Sequence, residues 1–476
     1  WNGGATNGLA SGCGVAAAVA GDEDAGADAP KSEYVQGLTL EEAATLINVD
    51  SSDEDLMREL FDTALFIKER IYGNRIVLFA PLYLSNYCVN SCTYCAYRGA
   101  NKGIERAKVT DHELRLEVEA LQRQGHRRLL LLTGEHPKYS FDDFLHALEV
   151  VSKVRTPPHG AIRRINVEIP ALSVSDMRRL KATDVVGTYT LFQETYNREA
   201  FKKFHPFGPK SDYENRVQVM DRAQIAGIDD VGIGALFGLY DYRFEVLGLL
   251  QHGMHLENVY GAGPHTISIP RIRPADSAPD AMAPPHPVSD DDFKKLAAVL
   301  RCAVPYTGMI LSTRESVEMR QSLLHLGVSQ MSAGSRTDVE GSYHKGDIDA
   351  EVNSSPETLN THGQFTLQDH RSLDAVVKDL MQHGFVPSWC TACYRNGRTG
   401  EAFMKIAKSG HIGDFCHPNS LITLQEYMDD YATPATRAVG EEVQKRERAT
   451  FTRPGVVRAL DRKMKRIKLG ERDLYF

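Results

Sequence analysis

The sequence predicts an α/β chain built on a (β/α)8 barrel of TIM type, preceded by helices and followed by a cysteine-bearing extension. From about Arg75 to Arg336, short Val-, Ile- and Leu-rich runs alternate with amphipathic stretches at helical spacing, as in a parallel sheet covered by helices. The runs number eight, which suits closure into a barrel. A cysteine loop directly follows the first run, at the end of a strand, where barrels carry their chemistry. An open, doubly wound sheet has the same alternation and stands as the alternative at this stage.

In order, residues 1–32 are rich in Gly, Ala and Asp with almost no large apolar side chains, and are expected to be a disordered N-terminal extension. They could be an organelle-targeting remnant, although Lys31 is their one basic residue and transit peptides are Arg-rich. Residues 33–74 read as helices: Thr39 and Glu42 have capping-box spacing, and Ser52 or Asp53 caps a helix reaching Tyr72. The barrel is assigned to 75–340. Strands are expected near 76–84, 127–133, 164–170, 185–193, 229–237, 264–270, 306–312 and 328–332. Helices are expected over 111–124, 141–154, 174–182, 213–226, 241–253, 289–303 and 314–325. Residues 341–366 are polar and aperiodic, a long loop or linker. Residues 367–476 form a C-terminal cysteine-bearing domain that opens with a helical pattern over Leu367–Gly384.

A net charge of −8 gives no reason to expect nucleic acid or an anionic membrane as partner, and no apolar run approaches the roughly 20 residues of a membrane span. Of eight cysteines, six fall in two clusters, which suits metal binding in a reducing compartment better than disulfides. Cys302 lies in an apolar helical pattern and reads as a buried small hydrophobe. The basic run Arg458–Lys468 reads as a solvated helix face.

The first cluster is Cys88-Val-Asn-Ser-Cys92-Thr-Tyr-Cys95-Ala-Tyr97. Thiolates on so short a loop can converge on zinc, copper(I) or an iron–sulfur cluster. Structural zinc wants a fourth protein ligand, and none lies nearby in sequence, so zinc would need a distant residue. The spacing, with an aromatic two residues after the last Cys, resembles the signature of the radical S-adenosylmethionine (SAM) enzymes. The resemblance implies a [4Fe-4S] cluster on Cys88, Cys92 and Cys95, with SAM chelating the open iron and Tyr97 near the adenine. It implies SAM contacts from Gly134 and Glu135 after the second strand. Asn166, Glu168 and Pro170 alternate on the third strand and could point into the barrel; Glu168 is expected among the cofactor residues. Gly232 and Gly234 on the fifth strand are expected against the adenine and ribose, although strand glycines also mark bends. Gln193 and Glu194 end the fourth strand at the mouth and are expected among the catalytic residues.

The second cluster is Cys390-Thr-Ala-Cys393 with Cys416, again three cysteines without an obvious fourth ligand; zinc closed by His411 or His417 is the bland alternative. Together the two clusters, with Pro264–Arg271 and Cys390–Gly400, resemble the HydG family, tyrosine-lyase maturases of [FeFe]-hydrogenase, from about Glu33 to Phe476. The Gly/Ala-rich front departs from that family and leaves the compartment open between cytoplasm and chloroplast stroma.

The resemblance implies radical cleavage of the Cα–Cβ bond of L-tyrosine to p-cresol and dehydroglycine. The latter yields CO and cyanide at an auxiliary [4Fe-4S] cluster on Cys390, Cys393 and Cys416. It further implies an additional iron there, held by His265 and a free cysteine, a reductant such as ferredoxin or flavodoxin, and other hydrogenase maturases as partners. A guanidinium suits a carboxylate bidentately, so Arg314 is expected on the tyrosine carboxylate, assisted by Ser335 or Arg336. The rivals are a thiazole-synthesis type tyrosine lyase, which lacks the second cluster, and a non-catalytic iron–sulfur or zinc scaffold.

Overall fold

A computed structural model describes residues 35–339, 343–345 and 363–476. The expectation of disorder over 1–32 and most of the expected linker lie outside the described residues.

Eight parallel strands close into a barrel: β1 Arg75–Ser85, β2 Arg128–Thr133, β3 Arg164–Glu168, β4 Val186–Thr190, β5 Val231–Gly234, β6 Thr266–Ser268, β7 Gly308–Leu311 and β8 Gln330–Ser332. Each pairs with the next, and β8 returns to β1 through Val77, Leu78 and Phe79, so the open-sheet alternative is excluded. Each strand lies within its expected range, except β1, which runs one residue beyond it at each end. Branched and apolar side chains such as Ile76, Leu78, Leu129, Leu131, Ile165, Val167 and Ile233 alternate outward and are buried under the helices.

β1 is eleven residues long and runs the height of the barrel, so it links both ends. Its start pairs with a ninth strand, β9 Val386–Ser388, through Arg75, Ile76 and Val77. β9 has no signal in the sequence, because a three-residue run with a central Pro carries no period. By this pairing the C-terminal segment is stitched to the barrel's lower end, where the strands begin.

The helices form for the expected reasons. Thr39 and Glu42 make a full capping box on Leu40–Ile47, and Asp53 rather than Ser52 caps Glu54–Tyr72. The helix expected over 213–226 is two, Tyr213–Val217 and Val219–Ile225, broken at Gln218 and preceded by a further helix, Arg198–Phe204. The helix expected from 314 begins at Val317 under a Ser316 cap, so Arg314 stays in a loop at the end of β7. The pattern over Leu367–Gly384 is helical from Leu373 to Gln382, under a Ser372 cap. Cys302 is buried among the helices, as expected. No described helix is long and apolar enough to cross a membrane.

Candidate active site

Inward-facing residues at the upper, C-terminal ends of the strands and the Cys88–Cys95 loop enclose a cavity of about 910 Å³. All three cysteines of the loop line it, with Gly134, Glu135, Glu168, Glu194, Lys210, Arg216 and Arg314. The loop is held by main chain more than by side chains. Val89 N donates to Glu135 O (2.8 Å), Ser91 N to Phe207 O (3.0 Å) and Gly99 N to Asn90 O (2.7 Å). Gly134 is required by close approach, since a Cβ there would lie 2.2 Å from Tyr87 O. Asn90 Nδ2 donates to Glu135 Oε2 at 2.7 Å and approaches Cys88 Sγ at 3.7 Å. Tyr97 is buried in the wall, edge-on to Tyr83, with its hydroxyl donating to Thr337 O.

Glu194 sits at φ 71°, a conformation rarely adopted by a residue with a side chain. It receives Lys210 Nζ at 2.6 Å and Arg216 Nη2 at 3.4 Å. Burial alone would raise its carboxyl; Lys210 and Arg216 outweigh it and hold the group below its ordinary value. Burial pushes the Cys92 thiol up to about 12, opposed by Lys210.

Below this chamber, deeper in the barrel, lies a second cavity of about 800 Å³. Apolar Phe79, Leu130, Leu132 and Ile310 line it, together with Asn166, Ser312, Ser335 and Arg314. The Arg314 guanidinium lies 3.4 Å from the centre of the Phe365 ring and pairs with no carboxylate among the described residues. Ser335 Oγ is buried without a hydrogen-bond partner among the described residues. Phe365 and Gln364 belong to a strap across the barrel mouth. Gln364 N donates to Thr337 O, Ala96 N to Gln364 O, Thr366 N to Pro274 O and Gln368 N to Thr313 O. Gln364 Nε2 reaches Cys95 Sγ at 3.5 Å, while its Oε1 accepts from Tyr83 Oη at 2.7 Å.

At the opposite end, where the strands begin, Cys390, Cys393 and Cys416 line a cavity of about 600 Å³ with His265, Arg75, Arg128, Arg164, Arg398 and Asp230. Cys390 and Cys393 follow β9, and Cys416 lies on the helix Gly413–Asp430. Arg128 Nη1 donates to Cys390 O at 2.6 Å, and Arg164 pairs with Asp230 at 2.8 Å. Cys393 donates to Cys416 and Arg75 stands beside it, so the Cys416 thiol is held below its ordinary value. The His265 ring meets Phe403 edge-on at 5.0 Å and makes no hydrogen bond among the described residues; burial lowers its proton affinity.

Both triads fit iron–sulfur clusters. Their cysteines are free thiols. In each triad three thiols line one cavity, a soft donor set of the kind that takes an iron–sulfur cluster. The histidines that would close a zinc site are engaged elsewhere: His417 with Glu447 at 2.9 Å, and the exposed His411 with Asp414 at 3.3 Å.

Comparison with known proteins accords with this geometry. The family described as the Radical SAM superfamily matches residues 82–250, and the Biotin and Thiamin Synthesis associated domain matches residues 268–386. A crystal structure of HydG, a maturase of the [FeFe]-hydrogenase, is 48% identical, with a TM-score of 0.86 over 92% of both chains. The chain belongs to the HydG family. HydG from Carboxydothermus hydrogenoformans is 39% identical, with a TM-score of 0.75 over 90% of both chains. The 2-iminoacetate synthase of Salmonella typhimurium is 28% identical over 76% of this chain and 90% of its own. Membership of the radical SAM superfamily implies SAM and a [4Fe-4S] cluster. Cys88, Cys92 and Cys95 are the residues that would hold that cluster.

Within this HydG-family site the structure brings most expected residues together. Tyr97, Gly134, Glu135, Glu168 and Glu194 line the upper chamber; Arg314 and Glu168 line both upper cavities; Ser335 lines the deeper one; His265 joins the second triad. Gln193 lines none of these cavities, because Phe192 and Glu194, on either side of it, face inward. Gly232 and Gly234 do not line them either. A Cβ on Gly232 would strike Thr190 and Thr266, and one on Gly234 would strike Phe192, so both glycines make room for protein. Sequence reasoning missed Lys210, Arg216 and the arginines of the lower chamber. The signal for the last was a charged residue opening or immediately preceding each of several apolar strands: Arg75, Arg128, Arg164 and Asp230.

Proposed function

We propose that this HydG-family protein is a tyrosine lyase. It cleaves the Cα–Cβ bond of L-tyrosine to p-cresol and dehydroglycine, and converts the latter to CO and cyanide at the second triad. The product is an iron–carbonyl–cyanide precursor for the hydrogenase H-cluster. The observation that carries the reading is the pair of three-cysteine sites, each lining its own cavity at opposite ends of one barrel. Relatives named for synthesis of 2-iminoacetate, which is dehydroglycine, support the cleavage step.

When bound, the first cluster and SAM supply a 5′-deoxyadenosyl radical that takes a hydrogen atom from the tyrosine amino group. The chain's own residues place and shelter the reactants. Arg314 meets the tyrosine carboxylate with its guanidinium fork, already oriented by stacking on Phe365. Ser335 Oγ donates to the same carboxylate and gains the partner it lacks. Phe79, Leu130, Leu132 and Ile310 receive the apolar ring. The Gln364–Phe365 strap keeps water from the radical. At the lower end Cys390, Cys393 and Cys416 would hold an auxiliary [4Fe-4S] cluster, and His265 with a free cysteine would hold an additional iron. A ferredoxin or flavodoxin supplies electrons, and another maturase takes the product.

The test is anaerobic reconstitution with SAM, tyrosine and dithionite. 5′-Deoxyadenosine and p-cresol are expected by chromatography, and CO by binding to a haem reporter. Absence of both organic products overturns the lyase reading; glyoxylate in place of CO and cyanide marks the thiazole-synthesis type.

A further inference from the structure

Two charged side chains stand on the wall shared by the upper two cavities, Glu168 and Arg314. Every other charged group of the upper chamber has a partner. Glu194 holds Lys210 and Arg216, and Glu135 accepts from Asn90. Among the described residues Glu168 accepts no hydrogen bond and pairs with no cation; Arg314, Arg216 and Lys210 act on it only through their charge. A carboxylate left without a partner in a sheltered cavity is costly. Its environment shows that cost: burial, then the like charge of Glu194, push its carboxyl up to about 7, against the pull of Arg216, Arg314 and Lys210. Opposite charges that share a wall without touching are complementary to one molecule carrying both signs.

We propose that Glu168 binds the ammonium group of the substrate and takes its proton, so that Glu168 and Arg314 together read the zwitterionic head of an α-amino acid. This rests on the reading of the upper cavities as a tyrosine site, and it moves Glu168 from the cofactor to the substrate. The step is a proton transfer: the ammonium N–H bond breaks, an O–H bond forms on Glu168, and the products are a neutral amine and a carboxylic acid. No electron moves, and no co-reactant is needed. The transfer matters because the reading requires a hydrogen atom to leave the amino nitrogen, and a neutral amine gives one up more readily than an ammonium. A carboxyl with raised proton affinity is a better acceptor for that proton than an ordinary one.

The test compares L-tyrosine with 3-(4-hydroxyphenyl)propanoate, which keeps the ring and carboxylate and lacks the amine. Dissociation constants are measured on anaerobic holoenzyme with SAM present, for wild type, Glu168→Gln and Glu168→Asp. Wild type should prefer tyrosine by about ten- to hundred-fold, the range of a charge-assisted hydrogen bond. Glu168→Gln should lose all but about threefold of that preference, and Glu168→Asp should keep part of it. The change in the first cluster's EPR signal on adding SAM should be the same in all three proteins, which also reports that the variants are folded and loaded. A preference that survives in Glu168→Gln overturns the proposal. So does loss of the SAM-induced signal change with the preference intact, which returns Glu168 to the cofactor. Failure of the tyrosine reading itself appears in the wild type, as absence of p-cresol, and overturns both; failure of this proposal alone appears in the contrast between variants.

Discussion

The two cysteine triads sit in opposite electrostatic settings. The upper chamber is balanced, with Glu135, Glu168 and Glu194 against Lys210, Arg216 and Arg314. The lower one carries Arg75, Arg128, Arg164 and Arg398 against Asp230 alone. A balanced chamber suits ligands that are zwitterions, as SAM and an amino acid both are in their head groups. A cationic chamber stabilises thiolates and small anions. Burial raises Cys92 above and Cys390 below, and Cys393 is raised as well; Cys416, which accepts from Cys393 and lies beside Arg75, is the lowered member of the lower triad. One barrel therefore offers two similar ligand sets in environments fitted to different ligands, which is what two successive chemistries need.

The largest test of this contrast is removal of one sulfur at each end. Cys92→Ala should reduce p-cresol and 5′-deoxyadenosine to the limit of detection, with loss of one cluster's iron. Cys393→Ala should leave p-cresol and abolish CO. If both variants lose p-cresol equally, the two ends do not act separately. Next in size is Arg314→Lys, which keeps the charge but gives up the fork and the stacking on Phe365. kcat/KM for tyrosine should fall about ten- to hundred-fold while SAM binding holds. Smaller again is His265→Ala: about one iron per chain should be lost from the lower site, with p-cresol formation unchanged. Iron analysis beside product chromatography decides it.

How much of this was legible in the sequence follows the same division. The first triad lies within eight residues after a long apolar strand, so local spacing revealed it. The barrel was legible because each strand carries a period of two or a dense apolar run, and each helix a cap and an apolar face. The lower chamber was not. Arg75, Arg128 and Arg164 open separate strands and line one cavity only once the barrel has closed, and β9, which brings Cys390 beneath them, is three residues long. The charges that tune Glu194 were hidden for a like reason, since Lys210 and Arg216 arrive from a turn and a short helix that no period marks. Gly232 and Gly234 misled because a missing side chain looks the same in sequence whether it admits a ligand or Thr190, Thr266 and Phe192.

The finest distinction between the two ends is the strap above. Gln364 donates to Cys95 Sγ and is itself fixed by the Tyr83 hydroxyl. A hydrogen bond to a ligating sulfur stabilises the reduced, more negative state of a cluster and so raises its potential. Gln364→Leu keeps the volume and removes the donor. The potential of the first cluster should fall, and the second cluster's potential should stay where it was. Redox titration followed by EPR reads both centres in one sample. A shift in both clusters would mean that the strap acts on the whole barrel rather than on Cys95, and no shift in either would remove Gln364 from the tuning of the upper site. Tyr83→Phe supplies the intermediate case: the donor remains while its anchor is lost, so its effect should have the same sign and lie between wild type and Gln364→Leu.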